Sequence, residues 1–122
     1  MTAALVGHWR LAGDTLDSSG NDNHGENRGA DLTASGPDGK DRGAAAFDGR
    51  HNSILVPDSP SLRTGTQDFS IAARIYTDAE IDDPIGDIAT KFDPQSRNGF
   101  NLGLKRNSAA CTSLSNYPNL QF

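Results

Sequence analysis

Along this chain apolar and polar side chains alternate in short runs, and the alternation has the two-residue period of a β-strand rather than the pattern of a helical bundle. Leu5, Gly7, Trp9 and Leu11 share one face, with Val6, His8 and Arg10 on the other. The clearest run is Asp68 to Tyr76, where Phe69, Ile71, Ala73 and Ile75 oppose Ser70, Ala72, Arg74 and Tyr76. Phe100, Leu102 and Leu104 define a further alternating strand, and Ile85 to Phe92 a weaker one. Gly29 to Ala34 predicts a brief strand through Ala30 and Leu32, Gly43 to Phe47 a strand that pairs back, and Ser53 to Val56 a compact β-branched run. Pro57 ends that run because it has no N–H for a ladder. A short strand is predicted over Ala110 to Leu114, and a single helical turn over Pro60 to Leu62.

Between the runs lie segments made of turn formers. Asp17 to Gly25, DSSGNDNHG, contains almost only residues that bond their own backbone or take positive φ freely. Polar, turn-prone sequence extends from Asp14 to Arg28. Ser35 to Asp41 is a loop by its Gly and Pro content, Asp78 to Pro84 an acidic loop, and Asp93 to Asn98 and Lys105 to Ala109 are turns. The last residues, Asn119 to Phe122, alternate again and stop without turn residues, as a strand interrupted in its course.

Five of these segments carry a family resemblance through their order and spacing: Trp9 in its apolar run, Asp17 to Gly25, Ala46-Phe47-Asp48-Gly49, Val56-Pro57-Asp58-Ser59-Pro60-Ser61-Leu62, and Asp68-Phe69-Ser70-Ile71. Together they resemble the laminin G-like domains of the concanavalin A-like lectin/glucanase superfamily, over about Leu5 to Leu104. The resemblance implies an all-β fold, an antiparallel jelly-roll sandwich occupying residues 1–122 as one domain, often calcium-bearing and often bound to carbohydrate. Laminin G-like domains continue for several more strands. The resemblance therefore implies a sandwich incomplete at its C-terminus, with an unpaired edge.

Length and composition agree with one β-rich domain. The chain has 122 residues, 34% of them hydrophobic, and 13 glycines, as expected where many short strands alternate with loops. The net charge is −5 and the only adjacent basic pair is Lys105-Arg106, so no cationic stripe exists to neutralise phosphates, and nucleic acid is not the expected partner. The first residues lack a basic region, and the apolar run from Ala3 to Gly7 is too short for a signal sequence or membrane span, so no membrane insertion is expected. The family it resembles usually lies outside the cytoplasm. Cys111 is the only cysteine, which excludes an internal disulfide and predicts a small, partly buried side chain.

The candidate chemistry is sparse. Calcium requires several hard oxygens gathered by a loop that bends back on itself. Asp17, Asn21, Asp22, Asn23 and His24 form the candidate metal loop, to which the resemblance adds its frequent calcium ion. The loop is not an EF-hand: counted from Asp17, Asp22 stands where Gly is required and Arg28 where Glu is required. The alternative is a run of Asx-turns that satisfies its own backbone. For glycoside hydrolysis, Glu80-Ile81-Asp82 resembles half of a glucanase carboxylate pair, but Asp83, Pro84 and Ile85 follow instead of a second Glu, and Glu26 is the only other glutamate. His8, His24 and His51 lack zinc-site spacing, and no phosphate-binding loop surrounds Lys40.

Sugar binding needs an aromatic platform for the apolar faces of pyranose rings and planar polar groups for their hydroxyls. Arg74, Tyr76 and Tyr117 are the candidates, although relatives often carry Trp where Arg74 stands; Trp9 belongs to the core face with Leu5 and Leu11. The sequence thus reads as a non-catalytic carbohydrate-binding or adhesion module whose partner is a glycan or an extracellular protein. A protein-binding or structural sandwich module is the first alternative, and part of a glycoside hydrolase the second.

Overall fold

The computed structural model describes residues 4–77, 85–106 and 118–121. The chain divides into two compact units, Met1–Phe69 and Ser70–Phe122. Both are built from strands joined by turns. Among the described residues the only helical element is one 3-10 turn at Pro60–Leu62, where the sequence places it.

The first unit holds four short strands, β1 (Glu26–Arg28), β2 (Asp31–Ala34), β3 (Ala44–Ala46) and β4 (Ser53–Leu55), arranged as two antiparallel pairs, β1 with β4 and β2 with β3. The strand expected over Gly43 to Phe47 pairs back onto β2 as β3, with Asp31 opposite Ala46 and Ala34 opposite Ala44. At its turn the backbone of Gly36 lies so close to Gly43 that a Cβ on Gly36 would stand 2.8 Å from the Gly43 carbonyl oxygen. β1 was not foreseen: Glu-Asn-Arg has no apolar alternation, yet it pairs residue for residue with Ser53–Leu55. Its corner into β2 is clamped by Asn27, whose side chain accepts from the Ala30 N–H (2.8 Å) and donates to the Ala30 carbonyl (2.9 Å).

Two expected strands do not form. Leu5 to Leu11 makes a single bridge, Trp9 to Asp17, before Leu11 takes φ 54. The alternation survives as burial, with Gly7, Trp9 and Leu11 partly covered and Val6, His8 and Arg10 exposed, but Leu5 is 61% exposed. Asp68 to Tyr76, the best strand pattern in the chain, carries no strand at all. Alternation specifies a strand only where a neighbour supplies the hydrogen-bond ladder, and none pairs with this segment among the described residues.

The second unit is one antiparallel sheet in the order β5 (Ile85–Asp93), β6 (Asn98–Arg106), β7 (Pro118–Gln121). The weaker pattern therefore yields one of the two longest strands. A tight turn through Pro94 to Arg97 joins β5 to β6 where Asp93 to Asn98 predicts it, and the Asp93 carboxylate accepts from the Gln95 N–H and the Ser96 hydroxyl there. β6 continues through Lys105 and Arg106, where the sequence suggests a turn, because β7 extends the ladder as far as Arg106 opposite Pro118. The expectations for Asp78 to Pro84 and Ala110 to Leu114 lie outside the described residues.

Burial is concentrated in few places. Among the described residues the buried apolar side chains are Ala30 and Leu102, whereas Asp17 and Asn23 are buried polar groups, 7% and 3% exposed. The closest packing of the first unit is thus around hydrogen-bonded polar side chains, which is tolerable only if every donor and acceptor is satisfied.

Candidate functional site

The Asp17 carboxylate is the centre of that arrangement. Its Oδ1 accepts from the main-chain N–H of His8 (2.8 Å) and of Ser19 (2.9 Å). Its Oδ2 accepts from the Ser19 hydroxyl (2.7 Å) and the Asn23 N–H (3.0 Å). Burial pushes this carboxyl up, but the bonds from Ser19, His8 and Asn23 stabilise the charged form by more and lower it from 3.8 to about 2. The Asp17 N–H in turn donates to His24 Nδ1 (3.0 Å), which leaves the ring proton of the neutral imidazole on Nε2, 3.6 Å from Asp22 Oδ1.

Asn23 extends the network across the unit. Its Nδ2 donates to the Val6 carbonyl and to Ser61 Oγ, each at 2.8 Å, and its Oδ1 accepts from Ser59 Oγ. Its own carbonyl accepts from the Trp9 indole N–H at 2.7 Å. Trp9, the DSSGNDNHG loop and the DSPSL segment are therefore one hydrogen-bonded assembly. The Trp9 ring covers Gly7 so closely that a Cβ on Gly7 would collide with Trp9 Cη2. Asn21 fastens the loop to the chain entering it through Nδ2 to the Leu5 carbonyl (3.0 Å).

Of the candidate metal residues, the structure brings Asp17, Asn23 and His24 together as members of a hydrogen-bond network, with Asn21 and Asp22 at its exposed side. Both Asp17 oxygens are surrounded by N–H and O–H groups, Asn23 Oδ1 is taken by Ser59 and Asp22 Oδ1 faces His24 Nε2, so the side-chain oxygens left open are Asn21 Oδ1 and Asp22 Oδ2. Calcium takes about six to eight oxygens, and no group of three or more His, Cys, Asp or Glu side chains converges among the described residues. As arranged, the loop closes on itself through an Asx-turn at Asp17 and a serine turn at Ser19.

The Phe47-Asp48-Gly49 segment works similarly on a smaller scale. Asp48 Oδ1 accepts from the N–H groups of Arg50, His51 and Asn52, and Asn52 Oδ1 accepts from the Asp48 N–H, with Gly49 at φ 72. These bonds lower the Asp48 carboxyl.

The candidate sugar contacts fall in the second unit. Arg74 and Tyr76 are both exposed, Tyr76 at 95%. Tyr117 and Glu80 lie outside the described residues. Sequence reasoning missed Ser59 and Ser61, whose role depends on a partner 36 and 38 positions away. No helix among the described residues is long and apolar enough to cross a membrane. In comparisons with known proteins, no family model, no curated protein and no solved structure matches the chain.

Proposed function

We propose that the protein is a non-catalytic carbohydrate-binding or adhesion module, a laminin G-like jelly-roll sandwich in which the Asp17–Asn23 network fixes the N-terminal segments and an aromatic surface takes the ligand. The observation that carries this reading is Tyr76, an aromatic side chain 95% exposed and two residues from the exposed guanidinium-bearing Arg74. A phenol ring left in water lends an apolar face to a pyranose and a hydroxyl to its rim, and the guanidinium supplies planar donors for sugar oxygens. The small antiparallel sheets support the all-β part of the reading.

A screen of immobilised glycans followed by calorimetry tests it. Tyr76→Ala and Arg74→Ala weaken glycan binding while leaving the far-ultraviolet circular dichroism unchanged. Absence of binding to any glycan in the screen overturns the reading. In that case the protein-binding or structural module is the remaining reading, for which Leu5, Leu16, Phe47, Leu55 and Phe69 supply exposed apolar side chains.

A further inference from the structure

Strand β5 contains an irregularity that changes which side chains share a face. Asp87 pairs with Gly103 and Ala89 with Leu102, so Ile88 is an extra residue in β5 opposite no residue of β6, a β-bulge. Strict alternation would put Asp87 on the same face as Ala89 and Lys91, the face where Phe100 and Leu102 are covered. The bulge turns Asp87 to the opposite, exposed face, beside Thr90 and Phe92 of β5 and Gly99 and Asn101 of β6. The contact that follows is a hydrogen bond from Asn101 Nδ2 to Asp87 Oδ1 at 2.9 Å.

The composition of that face is specific. Phe92 is 51% exposed, and its cross-strand neighbour is Gly99, so no opposing side chain covers the ring. A residue other than glycine is excluded at 99, where φ is 121 and a Cβ would collide with the Lys91 carbonyl oxygen. The amide–carboxylate pair leaves Asp87 Oδ2 and Asn101 Oδ1 as acceptors and the second Asn101 N–H as a donor, while the Thr90 hydroxyl donates to the Phe100 carbonyl (3.3 Å) and keeps its lone pairs. An open aromatic face beside planar acceptors and a donor matches a ring that is apolar on its C–H side and carries adjacent hydroxyls at its edge. Asp87 puts a carboxylate beside the platform, which repels uronic or sulfated sugars.

We infer that the exposed face of β5 and β6 is a subsite for an uncharged pyranoside, with Phe92 as the stacking platform and the Asn101–Asp87 pair binding adjacent hydroxyls. The inference rests on the carbohydrate-binding reading and adds a contact independent of Tyr76. The probes are soluble neutral oligosaccharides of glucose, xylose, galactose and mannose, with polygalacturonate as the acidic comparison, titrated by calorimetry into the full chain and its variants. Phe92→Leu keeps an apolar side chain of similar size but removes the flat ring, and Asn101→Ala removes the amide.

With melting temperature unchanged, each weakens binding of the neutral sugar by roughly tenfold, Phe92→Tyr restores it, and polygalacturonate does not compete. If Tyr76→Ala abolishes binding while Phe92→Leu and Asn101→Ala bind as tightly as the parent, the subsite is wrong and the module reading stands. If polygalacturonate displaces the neutral sugar, the charge argument is wrong and the subsite with it. If no oligosaccharide binds, both readings fall together.

Discussion

Replacing Asp17 by Asn tests the central physical argument of the structure. The substitution preserves shape and the Oδ1 acceptor for the His8 and Ser19 N–H groups, but puts an NH2 where Oδ2 accepted from Ser19 Oγ and the Asn23 N–H. The serine hydroxyl can rotate to accept instead. The Asn23 N–H cannot, and a buried donor without a partner costs about 1–3 kcal/mol. A second part of the effect depends on pH. The Asp17 carboxyl is at about 2 in the folded protein against 3.8 ordinarily.

A group lowered on folding stabilises the fold above its unfolded value, and that contribution disappears as pH falls through the folded value. The shift corresponds to about 2.4 kcal/mol at most, fully present near neutral pH and declining from about pH 5 to about pH 2. Urea unfolding of the parent and Asp17→Asn across this range separates the two parts. Asp31, Asp48 and Asp93 are also lowered by hydrogen bonds, so both proteins lose stability in acid. Only the difference between them isolates Asp17, and it narrows as pH falls. Two stability curves that stay parallel from pH 6 to pH 2 would refute the claim that the ionised Asp17 carboxylate organises the loop.

Gly7→Ala forces the Trp9 ring off the backbone it covers, so it shifts the tryptophan fluorescence and lowers stability by about 1–3 kcal/mol, as other overpacked sites do; an unchanged spectrum and melt would remove Trp9 from the assembly. Excess calcium leaves the melting temperature where chelator puts it, because the Asp17 oxygens are already filled by donors. A rise corresponding to the roughly 2.7 kcal/mol expected at a hundredfold excess over the dissociation constant would show that the loop rearranges around an ion.

The sequence by itself determined the class of structure and the location of its turns. Period-two patterns, the absence of any helical stretch and clusters of Asn, Asp, Gly and Pro are local properties, and the 3-10 turn at Pro60–Leu62, the β2–β3 pair and the turn from Asp93 to Asn98 follow from them. The density of turn formers in Asp17 to Gly25 also marked the segment that holds Asp17 and Asn23. Which strands exist was decided by pairing. Glu26–Arg28 has a poor pattern but a partner in Ser53–Leu55, while Asp68 to Tyr76 has the best pattern and no strand.

The tertiary structure alone assigned the oxygens of the loop. Composition shows that carboxylates and amides are present but not whether N–H donors or a cation face them, and the donors arrive from His8, Ser59 and other residues far along the chain. Likewise, no local pattern reveals that Asp87 and Asn101 share a face, because the bulge at Ile88 breaks the alternation on which such a reading depends. Hydrogen-bond partners and strand register are relations between distant segments, and only the folded chain specifies them.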